Sequence, residues 1–126
     1  MANDKPHVLI VVDIQGSSGL DSIIRMVERR EPAFTVTQYV ADYPPRAVMC
    51  DSLMSHLRDN LYAAVVVPEL LHVLPVVKAQ HTGPVIGYGI GAAPHSYDGY
   101  INTLAMVTGG SASQYWIDEI SKHLSR

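Results

Sequence analysis

The chain has 126 residues, of which 48% are hydrophobic and 17% charged, and its formal net charge at pH 7 is −3. This length predicts one domain over residues 1–126, large enough to bury a core without disulfides or a structural metal. The scattered Lys and Arg residues and the negative net charge argue against a nucleic-acid partner. The apolar runs are far shorter than the roughly 20 residues that cross a bilayer, so we expect no membrane partner. A single cysteine and the lack of a hydrophobic leader favour the cytoplasm.

The first elements alternate between strand and helix. Residues 7–14 are β-branched and almost wholly apolar, which is typical of a parallel strand covered on both faces. Apolar residues then recur with helical spacing from Leu20 to Val27, after a Gly-Ser turn that could cap the helix. Residues 34–40 alternate in polarity and predict a second strand, and residues 47–61 carry the apolar stripe of a second helix.

The same criteria apply to the second half of the chain. They predict, in order, a strand at 62–67, a helix at 69–80 that Pro75 kinks or delays, a strand at 85–88, a loop at 89–97, a helix at 100–107 and a final helix at 113–124, within the C-terminal segment 111–126.

Strands that alternate with helices of this length predict right-handed βαβ units. The expected fold is therefore α/β, a single-domain flavodoxin-like three-layer sandwich with a parallel sheet of four to five strands. In such sheets the ligand crevice lies at the carboxyl ends of the strands, where the strand order reverses. The segments that follow the strands, 16–21, 41–46, 68–72 and 87–95, are the candidate site segments.

Two of these segments carry polar groups suited to a small anionic substrate. Gly16, Ser17 and Ser18 precede a predicted helix, where free N–H groups and the helix dipole attract phosphate, although an ordinary Ser cap fits equally well. Asp42 follows the second strand, where a dry pocket would raise its pKa and make it a proton donor or base. An Asx-turn before the two prolines is the simpler explanation of Asp42.

The later segments add weaker candidates. His72 lies about one turn past the third strand, where its imidazole could meet a substrate, or it could be a packed helix residue. The Gly-rich stretch that contains Gly87, Tyr88 and Gly89 indicates close approach of the backbone to a ligand or a neighbouring subunit. The six histidines show no metal-ligand spacing, so no metal is expected.

Taken together, the four segments resemble the aminoimidazole ribonucleotide carboxylase / carboxyaminoimidazole ribonucleotide mutase family of purine biosynthesis. They are also similar to the carboxylase domain of the nickel-pincer cofactor synthase. The stretch 16–21 resembles the family's Gly-Ser-x-Ser-Asp loop, 40–45 its Ser-Ala-His-Arg-Thr-Pro segment, 72–87 the stretch from its Ala-Ala-His-Leu-Pro to its Leu-Pro-Val-Ile-Gly, and 96–110 its later helix. The resemblance spans about residues 8–113.

The resemblance implies a lyase or isomerase that carboxylates, decarboxylates or moves a proton on a small phosphorylated or heterocyclic substrate, without a metal or organic cofactor. Asp42 stands where the family has its proton-shuttling histidine, and Tyr43 where it has a phosphate-binding arginine. The implied site residues are Asp42 and His72 as catalytic groups, and Gly16, Ser17, Ser18, Asp21, Ala41, Tyr43, Gly87, Tyr88 and Gly89 as substrate contacts. The synthase's cysteine, expected near 108–111, has no counterpart.

Two alternatives belong to other functional classes. A ligand-binding or regulatory module could keep the fold without the chemistry. A signalling receiver domain is suggested by Asp13 at the end of the first strand, but that strand lacks a companion acidic pair at its beginning.

The low charged fraction bears on assembly, since typical soluble domains carry about 25% charged residues. The resemblance implies an octamer-like homo-oligomer. We therefore expect the segment 87–100 and the final helix, with Tyr115 and Trp116, to be buried between subunits.

Overall fold

The computed structural model describes residues 5–13, 24–30, 34–41, 47–68, 74–89, 96–102 and 112–124. Its strands are β1 His7–Asp13, β2 Thr35–Ala41, β3 Ala64–Pro68, β4 Val85–Gly89 and β5 Gly99–Asn102. The helices in these ranges are α1 at 24–29, α2 Ala47–Asp59, α3 Leu74–Gln80 and α4 Ala112–Leu124.

The five strands form one open sheet in the order β2-β1-β3-β4-β5, and every neighbouring pair is parallel. The strand order reverses between β1 and β3, so the chain leaves the centre of the sheet in opposite directions on either side of that point. This arrangement confirms the predicted flavodoxin-like α/β sheet. The four strands predicted at 7–14, 34–40, 62–67 and 85–88 are present within one or two residues of those bounds.

Helices cover the sheet on both faces, and each face has its own apolar core. Successive side chains of a strand point to opposite faces. Val8, Ile10 and Val12 of β1 therefore pack with α1 and α4, whereas Leu9 and Val11 pack with α2 and α3. All five of these residues are at most 2% exposed, as expected for a strand covered on both sides.

The structure corrects the helix predicted at 100–107, because residues 99–102 form strand β5. Gly99 lies opposite Ile86 and Asn102 opposite Gly89, so β4 supplies the backbone partners. Ile101 is fully buried in the core beneath α4. A four-residue strand is too short for its apolar spacing to be told from that of a helix. Residues 103–107 lie outside the described part of the chain.

The final helix is confirmed, but the structure corrects the expected position of Trp116. This side chain and Ile120 are fully buried in the chain's own core. Tyr115 is half-buried, and its hydroxyl accepts the Asn102 N–H at 3.1 Å. The inner face of α4 thus packs on its own sheet, and contact of its outer face with another copy stays a prediction.

The third helix is described as Leu74–Gln80, with Pro75 as its second residue, and residues 69–73 of the predicted helix lie outside the described part of the chain. Proline fits there because the first N–H groups of a helix have no intrahelical partner. Among the helices that the structure describes, none is both long and apolar enough to cross a membrane.

Candidate functional site

The carboxyl ends of the five strands lie at one edge of the sheet, because all of the strands are parallel. These ends are Asp13, Ala41, Pro68, Gly89 and Asn102. Asp13 lies opposite Ala41, and Gly89 lies opposite Asn102. The predicted segments 41–46 and 68–72 begin at the last residues of β2 and β3, and 87–95 begins within β4, so these three start at one edge of the sheet. The segment 16–21 follows β1 in the chain and lies outside the described residues.

Many of the predicted site residues fall outside the described part of the chain. They are Gly16, Ser17, Ser18, Asp21, Asp42, Tyr43 and His72, and their roles stay predictions. Ala41 is placed as the last residue of β2, and Asp42 is the next residue in the chain. Asp13, on which the receiver-domain alternative depends, is the last residue of β1.

The ladder between the two central strands stops short of their ends. It runs from Val8 opposite Ala64 to Ile10 opposite Val66, while β1 continues to Asp13 and β3 to Pro68. The two strands thus pair along only part of their length, and the pairing ends on the side of the sheet where ligands bind in this architecture.

A proline accounts for the end of this ladder. The Val65 N–H donates to the Pro84 carbonyl beside β4 at 3.1 Å, so the N–H groups of even-numbered β3 residues are directed toward β1. The register makes residue 68 the next donor, opposite the Val11 carbonyl of β1. Residue 68 is a proline and has no N–H to give.

A tyrosine hydroxyl takes the place of that missing donor. The Tyr88 side chain is 7% exposed, and its hydroxyl donates to the Val11 carbonyl oxygen at 2.8 Å. Its ring lies against Trp116, with the ring centroids 5.2 Å apart. Tyr88 was predicted as a substrate contact from its position in the Gly-rich stretch, and the structure gives its hydroxyl a partner inside the protein.

The space beside Gly87 is filled by the chain itself. A Cβ built at this position would lie 2.7 Å from Cδ2 of Tyr97, and Tyr97 packs on the core beneath α2 and α3. The close approach expected from a ligand or a second subunit is therefore made by an aromatic ring of the same protomer. Gly89 is the last residue of β4 and stays a predicted ligand contact.

Other titratable groups lie toward the opposite edge of the sheet. The His56 Nε2 atom is 2.6 Å from the Tyr62 hydroxyl. Burial raises the pKa of Tyr62, and a hydrogen bond from Thr37 lowers it by less. Burial also lowers the pKa of His81, against the raising effects of the Pro84 carbonyl and of the Asp98 charge. His81 follows α3 and precedes β4, so it lies away from the crevice.

No group of three or more His, Cys, Asp or Glu side chains among the described residues is arranged to hold a metal ion. Sequence reasoning missed Pro68 and Tyr97 as residues that shape the site. Pro68 had a local signal, since it ends an apolar run at the boundary of a candidate segment. Tyr97 had none, because its contact with Gly87 is a tertiary contact that no local sequence pattern encodes.

Comparison with family models found no match to this chain, and searches of curated proteins and of solved structures found no match either.

Proposed function

We propose that this chain is a carboxylase/mutase-like enzyme acting on a small phosphorylated or heterocyclic substrate in the crevice between the carboxyl ends of β1 and β3. The observation that supports the location is the partial ladder between these strands, at the point where the strand order reverses. The resemblance described above supplies the chemistry: carboxylation, decarboxylation or a related proton transfer.

In this proposal Asp42 is the proton donor or base and His72 orients the substrate. Both residues follow strands that end at the crevice edge, β2 and β3. A positioned acid or base of this kind accelerates a proton transfer by roughly 10²–10⁴-fold. For Asp42 to donate at neutral pH, its pocket must be dry enough to raise its pKa.

The substrate is held by backbone and hydroxyl groups. Gly16, Ser17, Ser18 and Asp21 follow β1 in the chain and contact the anionic and ribose-like parts of the substrate. Ala41 and Tyr43 flank Asp42 in the chain and lie against the substrate ring. Gly89, at the end of β4, forms the far wall. No metal or organic cofactor takes part in this scheme.

We further propose that the enzyme acts in the cytoplasm as an octamer-like homo-oligomer. Its low charged fraction, 17%, supports burial of part of the surface against other copies. Light scattering at micromolar concentration tests this point, and a monomer there would overturn it.

The test of the reaction is Asp42→Asn, assayed by mass spectrometry for turnover of a panel of imidazole and pyridine carboxylates. Asp51→Asn is the matched control, because Asp51 is an exposed residue of α2. We expect Asp42→Asn to lose roughly 10²-fold or more in turnover and Asp51→Asn to retain it. Equal turnover in both variants would remove Asp42 from the mechanism. Ligand-induced thermal stabilisation with no product from the wild type would favour the non-catalytic binding module.

A further inference from the structure

We infer that Pro68 and Tyr88 together hold the crevice open, and that Tyr88 is a positioning residue for whatever binds there. The inference rests on the proposed function in one respect only, that the ligand enters between β1 and β3. Pro68 ends the ladder between the two strands, and Tyr88 satisfies the carbonyl that the ladder would otherwise have paired.

The contribution of Pro68 follows from the register. Val11 is the next β1 residue after the last ladder pair, Ile10 opposite Val66. An N–H at position 68 would extend the ladder to the Val11 carbonyl and draw the ends of β1 and β3 together. Because proline has no N–H, the two strands are free to separate from this level onward.

The contribution of Tyr88 follows from burial. A backbone carbonyl buried in a core needs a donor, and the Tyr88 hydroxyl supplies it at 2.8 Å. Tyr88 lies opposite Pro68 in the β3–β4 register, so its side chain is at the level of the missing bond. The Tyr88 ring packs against Trp116, and this contact fixes the position along β1 at which the hydroxyl forms its hydrogen bond.

Together the two residues replace a direct strand-to-strand bond with a longer link through a side chain. This link holds the end of β1 on the side that faces β3, while the ladder that continues to Asp13 opposite Ala41 holds it on the side of β2. Asp13, the last residue of β1, lies just beyond the fixed carbonyl. A hydroxyl two strands away therefore contributes to fixing the carboxyl end of β1, which precedes the candidate segment in the chain.

The experiment uses Tyr88→Phe, Pro68→Ala and the double variant, with amide hydrogen exchange measured along β1. Tyr39→Phe and Pro75→Ala are the matched controls. Tyr39 donates its hydroxyl to Ser52 on the exterior, and Pro75 is exposed in α3.

We expect Tyr88→Phe to raise exchange at residues 11–13 relative to residues 8–10 by about tenfold, the effect of losing one ordinary hydrogen bond. Pro68→Ala should show a protected amide at position 68, and the double variant should regain wild-type protection. Unchanged exchange in Tyr88→Phe, or an unprotected amide at position 68 in Pro68→Ala, would overturn the inference.

Measuring the affinity for imidazole-4-carboxylate distinguishes a role of Tyr88 in positioning a ligand from a role only in stabilising the sheet. Pro68→Ala should bind imidazole-4-carboxylate more weakly than the wild type, because the extended ladder draws β1 and β3 together. The double variant should bind as weakly as Pro68→Ala, because its amide protection also returns through the extended ladder. Recovery of affinity together with protection would show that the pair has only a structural role and would overturn the positioning role. If imidazole-4-carboxylate does not bind the wild type, the proposed substrate class fails, and the exchange measurements still decide whether Pro68 and Tyr88 act as inferred.

Discussion

Replacing Gly87 with alanine distinguishes the two explanations of the Gly-rich stretch, approach of a ligand and packing of Tyr97. Gly87 is buried in the middle of β4, so the change adds one methyl group to an already filled space. The added carbon would meet three carbons of the Tyr97 ring at 2.7 to 2.8 Å.

The size of the effect follows from this overlap. Ordinary carbon contacts lie at about 3.5–4.0 Å, so the Tyr97 ring would have to move by about 1 Å. That movement is opposed by Tyr100, whose ring centroid lies 5.9 Å from that of Tyr97. Overpacking of this kind costs about 1–3 kcal/mol of unfolding free energy. In a domain of this size each kcal/mol corresponds to a fall of about 3–5 °C in Tm.

The assay is urea unfolding followed by the fluorescence of Trp116, the single tryptophan, which is fully buried. We expect Gly87→Ala to destabilise the protein, and the same change in a Tyr97→Ala background to cost less than about 0.5 kcal/mol. Gly83→Ala is the control, since its nearest contacts lie at 3.0 to 3.2 Å and the overlap is milder.

Equal penalties for Gly87→Ala with and without the Tyr97 ring would refute this reasoning. A variant that keeps full stability but loses ligand binding would instead support approach of a ligand at Gly87.

Two further predictions concern the opposite edge of the sheet. The Val85 N–H donates to Oδ2 of Asp98 at 2.8 Å. Asp98→Ala should therefore lower the free energy of unfolding by about 1–2 kcal/mol in urea titration. Asp98→Asn keeps an acceptor and should lower it by less. Burial lowers the pKa of His81 below its ordinary value of 6.5. As the pH falls below 6.5, the unfolded chain therefore binds more protons than the folded chain, and the free energy of unfolding declines. His81→Gln should flatten this decline in thermal unfolding between pH 7 and 5, and an unchanged slope would show that His81 does not cause it.

The four strands predicted from sequence share a strong local signal. Val8 to Val12 and Ala64 to Val67 are continuous apolar runs, and burial on both faces of a parallel sheet selects for such runs. Strand β5 lacks such a run, because Gly99 and Asn102 flank only two residues with large side chains. Its conformation is set by pairing with β4, which the local sequence does not encode.

The candidate site likewise has features that the local sequence encodes and features that depend on tertiary contacts. The common edge formed by the carboxyl ends of the strands could be predicted, because parallel strands all end in the same direction; that the site lies at this edge stays a prediction. The contacts that shape it could not, since Tyr88 bonds to a carbonyl 77 residues earlier in the chain. The partner of Gly87, Tyr97, is likewise outside the reach of any helical or strand periodicity.

The structural effect of a proline in a central strand, such as Pro68, can be worked out only once the register of that strand is known. Proline is disfavoured in central strands because it removes a ladder bond, and β3 has a neighbour on each side. Here the lost bond is the first one beyond the last ladder pair, where strands that enclose a crevice must separate. Its acceptor, the Val11 carbonyl, stays buried and must still be satisfied. Proline at position 68 is therefore compatible with this core only while another donor reaches that carbonyl, so the hydroxyl of Tyr88 compensates structurally for the N–H that Pro68 lacks.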